Sequence, residues 1–348
     1  MAAVAPTSRS RRPDRRASNL ITAFTDSRWL GPVAFVLAIG FPFAYSSNYA
    51  LSVTTSAAVF VMLAVGLNIV VGYCGLLDLG YAAFFAVGAY VSGILATQHG
   101  FSMVETIPFV ILATIVAGLI IGTPTLRLRS DYLAIVTLGF GEIIRVTANN
   151  LDITGGPSGI YGIPSFELFG YSLTDQRRLY YFTVCVAALA VAGASRLGRS
   201  KLGRAWRFIR EDEDAAEAMG INTYTTKIAA YVVGAVWGGL AGTLFASQLS
   251  AVSPASFTFL YSALVLMAVV LGGMGSMPGA VLGAIFISLA PEVLRDLSKY
   301  QYFAFGIFLI VVMLFRQQGL WPARAVERDA RRDVPDVEPT LADGDGLR

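Results

Sequence analysis

The stretch ALSVTTSAAVFVMLAVGLNIVVG, residues 50–72, contains no charged side chain. As an α-helix that rises about 1.5 Å per residue, it is long enough to cross a hydrocarbon layer roughly 30 Å thick. Similar stretches recur along the 348 residues, of which 55% are hydrophobic and 14% are charged. Because about a quarter of the residues in a soluble domain are charged, the composition excludes an ordinary soluble protein.

Apolar stretches of this kind predict about ten membrane-spanning helices. Their approximate bounds are 29–45, 50–72, 81–98, 106–123, 131–147, 179–197, 226–250, 258–273, 278–295 and 301–316. We therefore expect an all-α fold, a polytopic transmembrane helical bundle over 29–321, between a basic arm (1–28) and a disordered tail (322–348). The first stretch is expected to remain as an anchor, because no convincing cleavage site of small residues follows it.

Basic residues predict the orientation of these spans, because Lys and Arg accumulate in short cytoplasmic segments. With both termini in the cytoplasm, 21 of the 26 Lys and Arg residues lie on that side. The remaining five are Arg145, Arg177, Arg178, Arg295 and Lys299. This distribution supports an even number of spans and places the long loop 198–225 in the cytoplasm.

The sequence disfavours several other classes of site. The net charge of +3 is too small to suggest binding to nucleic acid. Cys74 and Cys185 are far apart, in or beside apolar spans, so they predict neither a disulfide framework nor a zinc site. The single histidine, His99, lies in a short polar turn, which disfavours a catalytic triad and a His-rich metal centre. No lysine follows the glycine frame of a phosphate-binding loop, so any ATPase is a separate polypeptide.

The loop 198–225 contains GRAWRFIREDEDAAEAMG, residues 203–220, which is rich in helix-forming residues. We expect one helix over this segment, ending at Gly220. Its apolar face is expected to consist of Ala205, Phe208 and Ile209, with Trp206 beside them. The spacing also favours the ion pairs Arg207–Glu211 and Arg210–Asp214. Such a helix is expected to dock onto the protein's own spans or onto a soluble subunit, and the alternative is a charged connector in solvent.

Two glycine-rich junctions stand at the cytoplasmic ends of predicted spans. They are GYCGLLDLG, residues 72–80, and GGMGSMPG, residues 272–279. Glycine allows a helix to break where the backbone is covered by protein, and small residues allow helices to approach closely. The junctions therefore indicate either a gate, with Gly272, Gly273 and Gly275 as candidates, or simple tight packing.

Ionisable residues within the spans are candidates for a translocation path, because charges at membrane depth are costly. Asp78 lies close to the cytoplasmic boundary, where we expect little desolvation. Glu142 lies about 16 Å along a helix from Asp131, near the middle of the bilayer. Arg145 is one turn further on and is expected to pair with Glu142, either lining the path or as a structural ion pair. Further polar candidates, for the path or for interhelical hydrogen bonds, are Asn68, Thr137, Thr243 and Gln248.

The segment from about 149 to 178 is the longest one predicted on the extracytoplasmic side. It is long enough to present a docking surface to an external partner or to fold back as a lid. Candidates for docking are Thr154, Gly155, Gly156 and Gly159. The alternative is a cluster of turns that ends one helix and starts another.

Several segments, in the same order along the chain, resemble the permease subunit of branched-chain amino acid ABC importers of the LivM type. They are LRLRSDYLAIVTLGFGEIIR (126–145), TGGPSGI (154–160), GRAW (203–206), REDE (210–213), SPASFTF (253–259) and VLGGMGS (270–276). The resemblance extends from about Gly66 to Pro322. Several such blocks in one order are far more specific than any of them alone.

This resemblance implies a second permease subunit of similar fold, two cytoplasmic ABC ATPase subunits that bind the ATP, and an extracytoplasmic substrate-binding protein. It also implies a place in the lipid of the bacterial inner membrane, with no cofactor and no enzymatic activity of the chain itself. Residues 214–220, DAAEAMG, resemble the EAA-x-x-x-Gly coupling motif, although Asp replaces the first Glu and the Leu-Pro that often follows is missing. The residues expected to couple to the ATPase are Gly203, Arg204, Trp206, Arg210, Glu211, Asp212, Glu213, Asp214, Ala215, Ala216 and Gly220.

The predicted function is inward passage of leucine, isoleucine or valine. Movement of the 203–220 segment by the ATPases would bias the bundle between outward-open and inward-open packings. Related importers of urea and short-chain amides use similar permeases, so these substrates stay open. A second class is an ion-coupled secondary transporter, with Asp78 and Glu142 as coupling carboxylates. A membrane-embedded enzyme is disfavoured, because these two carboxylates lie at different depths.

Overall fold

A computed structural model describes residues 38–40, 42, 47–126, 130–168, 171–293, 303, 306–307, 310 and 319–321. The chain divides into two units, Met1–Ser47 and Asn48–Arg348. In the first unit, residues 38–40 and 42 are helical. The predicted basic arm and tail lie outside the described residues, as do most of the first and last predicted spans. Arg127, Arg129, Arg295 and Lys299 also lie outside them.

Ten α-helices make up most of what is described of the second unit. They are α1 (Asn48–Leu67), α2 (Ala82–Gln98), α3 (Ile107–Thr125), α4 (Ser130–Asn150), α5 (Gln176–Gly198), α6 (Lys201–Glu211), α7 (Glu213–Ala218), α8 (Thr223–Leu249), α9 (Phe259–Gly272) and α10 (Met277–Val293). A π-helical segment, Asn68–Tyr73, continues α1 without a break. The predicted bounds of eight spans agree with these helices to within three residues.

Five of the described helical stretches are long and apolar enough to cross a membrane. They are Asn48–Tyr73, Ile107–Thr125, Gln176–Gly198, Thr223–Leu249 and Pro254–Gly272. Two apolar helices, Ala82–Gln98 and Met277–Glu292, are shorter. The chain is therefore a mostly helical, multi-pass membrane protein.

Short strands occur in two connections between helices, a detail that the all-α prediction omits. β1 (Ile160–Tyr161) pairs antiparallel with β4 (Ala251–Val252), so that Ile160 lies opposite Val252. β2 (Glu167–Leu168) pairs with β3 (Tyr171–Ser172) in the same sense. Since β4 follows α8 directly, the first pair marks one end of the bundle, which we call the strand end. The other end of α8, where α6 and α7 lie, we call the basic end.

Glycines allow α8 to contact its neighbours through the backbone. A Cβ added at Gly88 of α2 would lie 2.1 Å from the carbonyl oxygen of Gly239, and one at Gly242 would lie 2.2 Å from that of Phe85. Contacts this short leave no room for any side chain, so α2 and α8 approach at the distance that small residues permit. Aromatic rings fill the core beside this contact, where Phe85 and Tyr261 stack with their centroids 5.2 Å apart.

α2 runs parallel to α8 but begins part of the way along it. The Tyr81 hydroxyl donates to the carbonyl oxygen of Gly234 at 2.8 Å. Gly234 is eleven residues into α8, about 16 Å from its start. The non-helical stretch 74–80 therefore lies inside the bundle, between the basic end and the start of α2.

Candidate functional site

Two helices occupy the segment 203–220 in place of the single one predicted. α6 begins after Ser200, whose hydroxyl accepts the N–H of Gly203 at 3.3 Å. Asp212 is extended, with φ −156° and ψ 113°, and its Oδ1 accepts the N–H of Ala215 at 3.0 Å. The single-helix prediction was wrong because Asp212 acts as the N-cap of α7, and an N-cap residue has non-helical backbone angles.

The buried face of α6 differs from the predicted one. Trp206 and Ile209 are buried, whereas Phe208 is 60% exposed. The indole N–H of Trp206 donates to the carbonyl oxygen of Thr226, in the first turn of α8, at 2.8 Å. A Cβ at Gly203 would lie 2.5 Å from the carbonyl oxygen of Gly198, so α6 also touches the end of α5. Trp206 is therefore the anchor of α6, and Phe208 points away from the bundle.

Arginines of α6 bind backbone carbonyls at the ends of neighbouring helical segments. Arg207 donates to the carbonyl oxygen of Gly198 at 2.6 Å, and its guanidinium lies 5.4 Å from the centroid of the Tyr73 ring. Arg210 donates to the carbonyl oxygen of Gly72. Within the described part of the chain, the predicted ion pairs of these arginines with Glu211 and Asp214 do not form. The last carbonyls of a helix lack intrahelical partners and carry partial negative charge, so they attract the arginines instead.

The predicted coupling residues around α7 differ in exposure and in their contacts. Glu213 forms an ion pair with Lys227, which is buried in the first turn of α8. Arg204, Glu211, Asp212 and Asp214 are exposed, as is Ala215. Ala216 is buried, and Gly220 has φ +83°, a conformation that favours glycine. α7 is thus held through Glu213 and Ala216, and its other side chains are exposed among the residues that the structure describes.

Exposed apolar side chains at the basic end are a feature that the sequence analysis missed. Leu202, Phe208 and Met219 are all exposed, Met219 by 83%. Their presence in a highly charged segment is a usable signal, but the sequence predicts Phe208 on one face with Ile209, and the structure buries only Ile209. Exposed apolar side chains among charges make this end of the bundle a candidate surface for contact with a partner.

The two glycine-rich junctions meet beside α6, which the sequence did not reveal. Asn68 Oδ1 accepts the N–H of Gly275 at 2.9 Å, and its Nδ2 lies 3.7 Å from the sulfur of Met277. A Cβ at Gly72 would lie 2.0 Å from Asn68 Oδ1 and 2.5 Å from the nitrogen of Gly275. Because Asn68 and Gly275 are 207 residues apart, no local pattern could have predicted this contact.

Close packing also explains the remaining glycines of the second junction. A Cβ at Gly272 would lie 2.1 Å from the carbonyl oxygen of Gly279, across the turn between α9 and α10. Gly273 has φ +114°. The N–H of Trp321 donates to the carbonyl oxygen of Gly272 at 2.9 Å. The role of these glycines as a gate stays a prediction.

Asp78 is fully buried, contrary to the expectation of slight desolvation. Its Oδ1 accepts the N–H of Gly80 at 2.8 Å, and the N–H of Leu79 donates to Thr137 of α4 at 3.1 Å. The expectation was wrong because the stretch 74–80 returns into the bundle toward the start of α2 instead of remaining at the basic end.

α4 carries the predicted Glu142–Arg145 pair on its exposed face. Arg145 Nε lies 3.0 Å from both carboxylate oxygens of Glu142, which confirms the pairing. The side chain of Glu142 is 46% exposed and that of Arg145 is 30% exposed. The buried residues of α4 include Leu133, Ala134 and Thr137. An ion pair on the outer face of a helix in a membrane protein needs cover by water or by protein.

The other predicted polar residues mostly join helices. Gln248 donates to the carbonyl oxygen of Ser52 at 3.1 Å and to the hydroxyl of Ser56 at 2.8 Å, so it links α8 to α1. Thr243 donates to the carbonyl oxygen of Gly239, within α8. Together with Asn68 and Thr137, Gln248 therefore has a role in packing.

The candidate docking segment forms a cluster of turns at the strand end. The hydroxyl of Thr154 donates to the carbonyl oxygen of Ala148 at 2.6 Å, close to the end of α4. Gly155, Gly156 and Gly159 have φ of +77°, +57° and +81°. A Cβ at Gly159 would lie 2.1 Å from the carbonyl oxygen of Val252 in β4. These turns account for the glycines, and the docking role stays a prediction.

Comparison with known proteins gives a consistent result. Residues 49–315 match the family described as branched-chain amino acid transport system / permease component. The high-affinity branched-chain amino acid transport system permease protein LivM of Salmonella typhimurium is 40% identical, over 82% of this chain and 73% of the relative. The corresponding permease protein BraD of Pseudomonas aeruginosa is 27% identical, over 79% and 95%. The permease protein LivH of Salmonella typhimurium is 24% identical, over 82% and 98%.

No solved structure matches the chain. The family match nevertheless covers well over half of it, from the start of α1 to beyond α10. It includes α6, α7 and both glycine-rich junctions, so the matched region contains the site described above apart from Trp321. The chain belongs to the family of permease components of branched-chain amino acid transport systems.

Proposed function

We propose that this chain is a transmembrane subunit of an ABC importer that passes leucine, isoleucine or valine inward, driven by ATP hydrolysis in separate subunits. The observation that carries the proposal is the docked pair α6–α7: Trp206 holds α6 to the bundle, while Phe208 and Met219 face outward. Membership of the permease family supports the substrate class.

The proposed complex contains four kinds of protein in or at the lipid membrane: this chain, a second permease, ATPase subunits and a binding protein. A second permease subunit of similar fold is supported by the similarity of this chain to both LivM and LivH, two differently named permease proteins of Salmonella typhimurium. Two ATPase subunits and an extracytoplasmic binding protein complete it. We place the chain in a bacterial inner membrane, with about ten spans and with both termini and the basic end in the cytoplasm, as the distribution of Lys and Arg favours.

The ATPase-docking surface is proposed to be the outer face of α6–α7. Exposed apolar side chains on it would supply the buried centre of the interface, and the surrounding charges its polar rim. The apolar members are Leu202, Phe208 and Met219, and the charged ones are Arg204, Glu211, Asp212 and Asp214. Glu213 is not expected to reach the ATPase, because it is bound to Lys227.

The translocation path is proposed to follow the exposed face of α4, at the contact with the second permease. The Glu142–Arg145 pair lies on this face, together with Gly139, where an added Cβ would meet nothing within 4 Å. The exposed residues of α3, such as Leu112 and Ile120, include no charged side chain, as expected of a surface in lipid.

Docking of the binding protein is proposed for the strand end, at the turns that contain Thr154, Gly155, Gly156 and Gly159. The apolar side chains of Leu151, Ile153 and Tyr161 are exposed around these turns. The binding protein would select the substrate, because the buried polar side chains described inside the bundle mostly donate to backbone carbonyls. For that reason urea and short-chain amides remain alternative substrates.

The proposal is tested by uptake of radiolabelled leucine into proteoliposomes that contain both permeases, the ATPases and the binding protein. We expect uptake to require ATP and to persist when ionophores collapse the proton and sodium gradients. Uptake that follows an imposed ion gradient without ATP would favour the secondary-transporter alternative. Uptake of labelled urea in place of leucine would move the substrate class to amides.

A further inference from the structure

α6 is joined to the bundle at three different places. Trp206 binds α8 at Thr226, and Arg207 binds the end of α5 at Gly198. Arg210 binds the π-helical segment at Gly72. The first two contacts fix α6 to the ends of long helices, whereas the third reaches a segment that breaks and turns back into the bundle.

The space for Arg210 is provided by two glycines, one from each junction. A Cβ at Gly75 would lie 2.9 Å from Arg210 Cγ, and one at Gly275 would lie 2.7 Å from Arg210 Nη1. Any side chain at these positions would therefore press on the arginine. Both glycines have positive φ, +75° and +83°, a conformation that favours glycine at each of them.

Gly72 connects this contact to the second junction. A Cβ built on Gly275 would lie 2.9 Å from the Gly72 carbonyl oxygen, which Arg210 binds. The Gly275 N–H in turn donates to Asn68, one turn before Gly72 in the π-helical segment. The Arg210–Gly72 and Gly275–Asn68 hydrogen bonds therefore lie side by side, with the backbones of Gly72 and Gly275 in close contact.

We propose that Arg210 is a positioning residue that transmits movement of α6 to both junctions together. The inference rests on the proposed function, since it assumes that ATPases move α6. A guanidinium bound to a carbonyl makes a charge-assisted hydrogen bond, which is stronger than a neutral one. π-Helical segments are rare and occur often at functional sites, where the backbone has an alternative hydrogen-bonding pattern. A shift of Arg210 would move the Gly72 carbonyl and, through Asn68, the turn that begins α10.

The experiment compares Arg210→Ala, Arg210→Lys and Arg196→Ala in the reconstituted complex of both permeases, the ATPases and the binding protein. Arg196 is an exposed arginine in the last turn of α5, at the same end of the bundle, and serves as the matched control. Leucine taken up and ATP hydrolysed are measured in the same vesicles, and the co-purifying ATPase is quantified for each variant.

We expect Arg210→Ala to co-purify the ATPase normally but to lower the leucine transported per ATP hydrolysed about tenfold, the effect of one lost charge-assisted hydrogen bond. Arg210→Lys should give a ratio between those of Arg210→Ala and the wild type, and Arg196→Ala should give the wild-type ratio. A wild-type ratio in Arg210→Ala would overturn the inference, as would loss of ATPase binding in both Arg210 variants. If the wild-type complex shows no ATP-dependent uptake, the proposed function itself fails.

Discussion

At the scale of single residues, Gly72 lies where a π-helical turn, Asn68 and the second junction meet. A methyl group added there would overlap Asn68 Oδ1 and the nitrogen of Gly275. We predict that Gly72→Ala destabilises the protein by about 1–3 kcal/mol, the usual cost of overpacking. The measurement is the thermal unfolding midpoint of the purified protein in detergent.

Gly139 of α4 is the matched control for this prediction. An added Cβ meets nothing within 4 Å there, and alanine favours a helix by about 1 kcal/mol over glycine. Gly139→Ala should therefore leave the midpoint unchanged or raise it slightly. Equal losses in both variants would show that contact between the two junctions does not stabilise the fold.

Sequence reasoning at this scale succeeded where the partners are local. The pairing of Glu142 with Arg145 depends only on helical spacing. The partners of Arg210 and of the Leu79 N–H, at Gly72 and Thr137, lie more than fifty residues away in the chain. Nothing in the sequence shows that these segments lie close together in the folded protein. The candidate residues were therefore predictable, and their contacts were not.

At the scale of elements, the break between α6 and α7 depends on Asp212. Replacing it with alanine removes the N-cap, a loss of about 1 kcal/mol, whereas asparagine keeps a capping oxygen. We predict that Asp212→Ala weakens co-purification of the ATPase and speeds hydrogen exchange over 213–218. Asp212→Asn should behave like the wild type in both measurements. If asparagine is as harmful as alanine, the charge of Asp212 and not its cap is what the ATPase requires.

α4 and α3 give a second prediction at this scale, because α4 carries an exposed ion pair and α3 carries no charged side chain. Ile143 of α4 and Leu112 of α3 are similarly exposed, 59% and 61%. With Cys185 replaced by serine, a charged thiol reagent should label Ile143→Cys in the assembled complex and leave Leu112→Cys unmodified. Labelling of Leu112→Cys alone would place the aqueous path on α3 and contradict the proposal for α4.

Helix bounds were predictable because a long apolar run has few alternatives to a helix in lipid. The secondary structure of the loop 203–220 was harder to predict. Its helix-forming composition favoured one helix, whereas a single capping residue, Asp212, divides it into two. The depth at which α2 begins was beyond prediction from sequence. It depends on the bond between Tyr81 and Gly234 and on the backbone contact of α2 with α8.

At the scale of the whole molecule, α8 separates two surfaces of different character. Its 27 residues extend about 40 Å, from Lys227 at the basic end to the strand pair β1–β4. One end presents Phe208 and Met219 beside exposed charges, and the other presents Tyr161 beside the turns that follow α4. The proposed function requires the first surface to face the ATPases and the second to face the binding protein.

Site-specific photo-crosslinking tests this requirement most directly. A photoreactive phenylalanine analogue is placed at Phe208 or at Tyr161, which are 60% and 68% exposed, and the assembled complex is irradiated in vesicles. We predict that position 208 crosslinks to an ATPase subunit and that position 161 crosslinks only to the binding protein. An ATPase crosslink from position 161, with none from position 208, would contradict the account.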